Sequence, residues 1–256
     1  FTVPWVRAAF CDWLRQMRGC SDAILCNSAT TESELRAYAV RQGWTLPPTG
    51  NFRLGGDPLP NLQQPVRASL QALAASEPGF YATVGSIEPK KNHAMLVDAF
   101  EQLWARGHTL PLVVAGRCTA ECALVIARMK KLAAQGRPLF LVSDANDSEI
   151  AFLYRHARAL VLPSLFEGFG LPLVEARTQG CAVFASDIPS FRELADAGVR
   201  LFDRRDTQHL AELLAAHATG ALVLARAPML PFTWQQSAQQ CLDQIRHLLR
   251  DGIVAP

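Results

Sequence analysis

Six short apolar runs alternate with helix-period segments between residues 80 and 203, and this alternation restricts the fold more than any other feature. The runs are FYATVG (80–85), PLVVAG (111–116), PLFLVS (138–143), ALVLPS (159–164), AVFAS (182–186) and VRLFD (199–203). Each is too short for a helix and apolar on consecutive positions, the pattern of strands buried on both faces. After the first run, Met95, Leu96, Ala99, Phe100, Leu103 and Trp104 share one face of a helix predicted over 92–106, which stops at Gly107. A second helix is predicted over 119–135, and Asn146 with Glu149 three residues on caps a third. Strands alternating with helices make βαβ units, and right-handed crossovers then give a doubly wound, Rossmann-like parallel α/β sheet. Ligands of such sheets bind outside the carboxyl ends of the strands.

The ends of the chain read differently. Trp5, Val6, Ala9, Phe10, Trp13, Leu14 and Met17 form the stripe of a helix over 4–18, stopped at Gly19. AILC (23–26) reads as a buried strand, and Thr31 with Glu34 as the capping box of a helix ending near Gly43. From 44 to 65 the chain is broken by Pro47, Pro48, Gly50, Gly55, Gly56, Pro58, Pro60 and Pro65, a density that marks a domain boundary. A last helix is predicted over 233–250, after a break at 228–231. The segments are therefore 1–58, 59–230 and 231–256. The chain opens at Phe1 directly into a helix-like segment, which leads us to expect a piece of a longer protein.

With 50% hydrophobic and 19% charged residues the chain has the composition of a globular protein. A net charge of +2 with both signs interleaved gives no basic stripe, so nucleic acid is not an expected partner. No run of 18 apolar residues spans a membrane, and Arg7, Asp12 and Arg15 inside the first stripe rule out a signal peptide. The seven cysteines include no C-x-x-C pair, and they read as buried thiols of a reducing cytoplasm. Cys118 and Cys122 lack a neighbouring His or second Cys pair to complete a metal site.

Two loops carry the chemistry. After ALVLPS comes Ser164-Leu165-Phe166-Glu167-Gly168-Phe169-Gly170-Leu171-Pro172, a strand-to-helix turn with glycines beside an exposed helix start. Backbone N–H groups at such a start stabilise an anion by about 0.3–1 kcal/mol. Glu167 and Glu175 bracket it, and carboxylates of this kind accept pairs of sugar or ribose hydroxyls. An anion nest between two such carboxylates fits a sugar joined to a nucleotide by phosphates. The same residues also fit a tight turn with a solvated Glu167 and a Glu175 that merely supports the helix start. After FYATVG comes Ser86-Ile87-Glu88-Pro89-Lys90-Lys91-Asn92-His93, whose lysines either neutralise a diphosphate as point charges or sit exposed on a loop. Arg117, after LVVAG, is likewise either a crevice cation or a turn residue.

VGSIEPKKNHAMLVDAF, LVVAGR and ALVLPSLFEGFGLPLVEARTQGCAVFASDIPSFRELA resemble the donor-binding domain of retaining GT-B glycosyltransferases of the large family 4 type. Glu167 and Glu175 match the E-x7-E motif of that family. The resemblance implies that Glu167 contacts hydroxyls of the transferred sugar and Glu175 the nucleotide ribose. It places the amides of Gly168, Phe169, Gly170 and Leu171 near the diphosphate and sugar, with Lys91 as the cation that neutralises the leaving diphosphate; Lys90 and Arg117 are further candidates. It puts the base pocket at Val142 to Glu149, with Val142, Ser143 and Leu153 as lining. Many members carry Arg where this chain has Ser86, one charged contact fewer. AILCNSATTESEL (23–35) resembles the last βα unit of the acceptor domain and FRLGGD (52–57) the hinge. The chain then holds a truncated remnant of the N-terminal domain, and the missing part is itself a partner.

The activity implied is transfer of a sugar from a nucleotide-diphosphate donor to a saccharide or lipid-linked acceptor, with retention. No cofactor or metal is implied, and the chain has no D-x-D pair. The loop resembles that of bacterial mannosyl- and rhamnosyltransferases of surface polysaccharide, which favours GDP-mannose. Two alternatives stand: a nucleotide-sugar-binding domain without activity of its own, and a GT-B-fold sugar epimerase. The implied location is cytoplasmic. The stripe of 4–18, with Arg7, Arg15 and Arg18, either covers the missing domain's core or meets the inner membrane face as a peripheral contact.

Overall fold

A computed structural model describes residues 4–57 and 63–253. The chain divides into two compact units, residues 1–57 with 231–256 and residues 58–230.

The larger unit holds a six-stranded parallel sheet. Its strands are β3 (Tyr81–Val84), β4 (Leu112–Ala115), β5 (Leu139–Val142), β6 (Ala159–Leu162), β7 (Val183–Ser186) and β8 (Val199–Phe202), one within each apolar run. Their spatial order is β5-β4-β3-β6-β7-β8, a doubly wound sheet whose direction of winding reverses between β3 and β6. Side chains alternate across it. Tyr81, Leu112, Val114, Val161 and Phe184 join a core with α4 (His93–Ala105), α5 (Ala123–Ala134) and α9 (Thr207–Ala218). Leu160, Leu162, Val183 and Ala185 are buried on the other face, with α6 (Asp147–His156), α7 (Leu171–Thr178) and α8 (Pro189–Leu194). Asn146 caps α6 in a full capping box with Glu149, as the sequence predicts. The short α3 (Ala68–Ala75) and α8, and also α9, were not anticipated.

The smaller unit holds α1 (Pro4–Cys20), β1 (Ile24–Cys26), α2 (Ala29–Gln42), β2 (Thr49–Asn51) and α10 (Trp234–Ile253). Two expectations change here. The cap of α2 is Ser28, not Thr31. Its extended backbone lets its side chain accept the Thr31 N–H at 3.0 Å, and the helix starts one turn earlier. Within the Pro/Gly-rich segment, Thr49-Gly50-Asn51 forms a strand parallel to β1. Gly50 sits there because α10 lies close, a Cβ falling 2.8 Å from Gln244 Oε1. No helix among the described residues is long and apolar enough to cross a membrane.

Candidate functional site: the crevice between β3 and β6

The loops after β3 and β6 leave from the point where the sheet reverses. The β3 loop is held by its neighbour. Gly85 N–H donates to Ala115 O at 2.9 Å, Ile87 N–H to Arg117 O at 2.8 Å, and Thr119 Oγ1 to Ile87 O at 2.6 Å, so the ladder continues past the strands. The two chains pass so closely that a Cβ on Gly116 would run into the Gly85 carbonyl. Gly116→Ala is therefore expected to displace the β3 loop and, with it, to weaken about tenfold or more the nucleotide binding that the family resemblance implies. An unchanged affinity by calorimetry would show that the close crossing does not set the site.

This loop ends in a single turn over Pro89–Lys91 and then Asn92, the only non-glycine residue with positive φ (53°) among the described residues. Asparagine tolerates that conformation better than most residues. The turn brings Lys91 across to the β6 loop. Lys91 Nζ donates to Glu167 Oε1 at 2.6 Å, and Ser164 Oγ donates to the same oxygen at 2.8 Å. The paired side chains are only 17% and 11% exposed, so solvent screens them little. Both donors use Oε1, which leaves Oε2 to a ligand. Leu165 N–H donates to Lys90 O at 2.8 Å and ties the loops through the main chain.

The helix start lies beside this pair. Gly170 has φ 111°, and a Cβ there would come 2.8 Å from the Phe191 ring. Phe169 is buried beneath it. No side chain caps α7. Pro172 has no N–H and the Leu173 N–H donates to Gly170 O at 3.0 Å, so Leu171 is the first-turn residue whose N–H has no bond within the helix. One turn on, Glu175 Oε2 accepts the Tyr154 hydroxyl at 2.8 Å. Burial raises Glu175 above the ordinary carboxylate range, against the pull of Tyr154. Tyr154 is fully buried, and burial followed by the Glu175 charge pushes its hydroxyl well up, so it stays a donor. His93, at the start of α4, is buried with neither ring nitrogen partnered. Burial, then Lys91, holds it down at about 4, so it adds no charge.

The remaining candidates divide. Lys90 makes an exposed pair with Glu88 at 3.3 Å and does not join the Lys91–Glu167 contact. Arg117 is exposed on the β4 loop, and Ser86 is half-buried on the β3 loop. Of the named base-pocket residues, Val142 and Leu153 are buried and Ser143 is exposed, as are Asp144 and Asp147 of the same segment. No cluster among the described residues has three His, Cys, Asp or Glu side chains placed to hold a metal.

Residues 68–219 match the family described as Glycosyl transferases group 1. The chain belongs to that family. Over 260 residues it is 30% identical to the serotype-specific mannosyltransferase WbdA of Escherichia coli, covering 96% of this chain and 31% of WbdA. It is 28% identical over 187 residues to the O-antigen chain mannosyltransferase B of Escherichia coli, covering 70% of this chain and 49% of that protein. The chain thus spans about a third to a half of these relatives. Among solved structures it resembles the catalytic domain of starch synthase IV from Arabidopsis thaliana bound to ADP and acarbose. The TM-score is 0.66 at 14% identity, over 92% of this chain and 56% of that one. The fold is GT-B type.

In and beside the crevice lie residues that sequence reasoning passed over. Tyr154 lies on the buried side of α6, where a hydroxyl among apolar neighbours was the available signal. Beside the candidate base-pocket residues, Arg67 grips Glu149 through Nε at 2.5 Å and a terminal nitrogen at 2.9 Å, with Asp144 at 3.1 Å. The Arg67 hydrogen bonds hold the Glu149 carboxyl down at about 2. A depressed carboxylate stabilises the fold fully above its unfolded value of about 4.5 and loses that contribution as pH falls toward 2. Glu149→Gln is expected to flatten this acid limb. Urea unfolding at pH 7 and pH 3 should differ less in the variant, and an equal difference in both proteins would contradict the lock.

Proposed function

We propose that this chain carries the donor site of a retaining glycosyltransferase. It would move mannose from GDP-mannose to a growing saccharide or lipid-linked acceptor of a bacterial surface polysaccharide, at the cytoplasmic side of the membrane. The observation that carries the reading is the Lys91–Glu167 pair at the sheet's reversal point, beside an uncapped helix start. Membership of a sugar-transferring family and the mannosyltransferase names of its relatives support the sugar.

In the reaction the bond from the anomeric carbon to the diphosphate breaks, and positive charge builds on the sugar. Negative charge accumulates on the departing diphosphate. Lys91 and the Leu171 N–H at the start of α7 are held beside the place where that charge develops, the kind of arrangement that lowers such barriers. The acceptor oxygen bonds to the anomeric carbon on the face the diphosphate leaves. Its proton passes to a diphosphate oxygen, so the products are glycosylated acceptor and nucleoside diphosphate. Glu167 Oε2 orients the sugar through its hydroxyls. Glu175 Oε1 takes the ribose, because Tyr154 occupies its other oxygen. Positive charge comes from the protein itself, so the step needs no metal.

Calorimetric titration with GDP, UDP, GDP-mannose and UDP-glucose tests this, repeated on Glu175→Ala. One nucleotide class should bind, and the variant should bind it about tenfold or more weakly. Glu175 must be ionised to accept both hydroxyls, and its carboxyl is raised. Affinity should therefore begin to fall at a higher pH than an ordinary carboxylate dictates. A folded chain that binds no nucleotide would sink the proposal.

A further inference from the structure

Arg204 lies in the short loop between β8 and α9, two strands away from the Lys91–Glu167 pair in the order of the sheet. Its guanidinium nevertheless donates to the Leu165 carbonyl. That peptide stands between Ser164 and Glu167, the donor to the pair's shared oxygen and its owner. In the opposite direction, Asn92 Nδ2 donates to the Arg204 carbonyl at 3.4 Å. Leu165 N–H donates to Lys90 O at 2.8 Å. The three contacts close a ring through the β3, β6 and β8 loops.

The ring has a firm base. Asp203 Oδ1 accepts the Arg205 N–H at 2.9 Å, and Asp206 caps α9 through the His209 N–H at 2.8 Å. Below, α9 packs on α4 through Leu210 and Leu214 in the main core. Arg204 is thus presented from a turn pinned at both ends. The left-handed Asn92 completes the ring from the side of Lys91, and an unusual backbone conformation persists only where its surroundings hold it.

We propose that Arg204 is a positioning residue of the donor site, holding Glu167 and Lys91 in register from the β8 loop. It rests on the donor-site reading above and adds a residue that neither carboxylate motif nor lysine loop contains. The guanidinium is spent on a carbonyl, so Arg204 acts on the ligand through the pair. Its effect falls on the diphosphate and sugar end, and Ser143, the exposed base-pocket candidate, is not part of the ring.

The test compares GDP with GMP, or UDP with UMP, on the wild-type chain and on Arg204→Ala, Arg204→Lys and Asn92→Gly. The quantity read is the gain in affinity from the second phosphate. Arg204→Ala should cut this gain about tenfold, since a small misplacement at a preorganised site costs that much or more. Monophosphate affinity should change less than about twofold. Arg204→Lys keeps a cationic donor and should recover part of the gain. Asn92→Gly keeps the left-handed backbone, removes the amide, and should also reduce the gain. An unchanged gain in Arg204→Ala, or an equal fall for mono- and diphosphate, overturns the assignment. If the wild-type chain shows no gain from the second phosphate, the donor reading fails on its own account. The ring is then judged from a crystal structure of Arg204→Ala. A Lys91–Glu167 contact still at 2.6 Å overturns it, and an opened pair upholds it.

Discussion

Lys91→Ala is expected to weaken nucleoside diphosphate binding about 10–100-fold, while Glu167→Gln is expected to strengthen it. The two residues share one contact of 2.6 Å, yet their replacements should act in opposite directions. On the proposed reading Lys91 is the cation that meets the diphosphate, and its loss also strands the Glu167 carboxylate with Ser164 as its remaining donor. Glu167 in turn neutralises Lys91 whenever the site is empty. The glutamine variant keeps shape and a hydrogen-bonding oxygen but frees the lysine charge, so GDP or UDP should gain about threefold or more. The sugar-bearing donor should gain less than the bare diphosphate, because the carboxylate proposed to hold its hydroxyls is gone. Calorimetry on all four combinations reads this directly. If both variants lose diphosphate affinity alike, the pair is a structural strut.

Arg177→Ala is expected to remove about 3–5 kcal/mol of stability. Arg177 lies on α7 two residues beyond Glu175 and is 1% exposed. It holds Asp196 through two nitrogens at 2.9 and 3.1 Å. It also donates to the carbonyls of Cys181 at 2.7 Å, Ala225 at 3.2 Å and Ala227 at 2.8 Å. Gly198 makes room for it, since a Cβ there would collide with the guanidinium. Truncation takes the donor from the buried Cys181 carbonyl and from two part-buried carbonyls, and leaves the half-buried Asp196 carboxylate held by the Gly198 N–H. For a unit of this size the loss lowers Tm by about 10 °C. A shift of under about 3 °C in a thermal melt would show that water replaces the guanidinium at little cost.

The six strands were legible because both faces of the sheet are covered, which turns each strand into an uninterrupted apolar run. Asn146–Glu149 was legible because a capping box is local. The elements that were missed lack such signals. In β2, Thr49-Gly50-Asn51 has the composition of a turn, and only α10 above Gly50 explains its strand geometry. The six-residue α8 is shorter than two helical turns, too short for a period to show. At the site, the carboxylates and lysines announced themselves by charge beside glycines. The structure adds the choice between adjacent lysines, with Lys91 turned inward and Lys90 outward, which a pair of identical residues cannot encode locally. Arg177 was visible in principle, as a charge on the buried side of α7 among Leu173, Val174 and Ala176. Arg204 was not, because its partner Leu165 is 39 residues earlier in the chain.

The reversal of winding between β3 and β6 also has a temporal side. Lys91 and Glu167 are separated by 76 residues, the whole of two strand–helix units and most of a third. A nascent chain at roughly 5–20 residues per second exposes Lys91 for roughly 4–15 s before its counter-charge is made. Through that interval the β3 loop and its paired neighbours exist without a site. Capture of a labelled nucleotide by ribosome-bound chains would thus appear abruptly with length, once α7 clears the exit tunnel, and would mark the moment at which the two halves of the sheet have met.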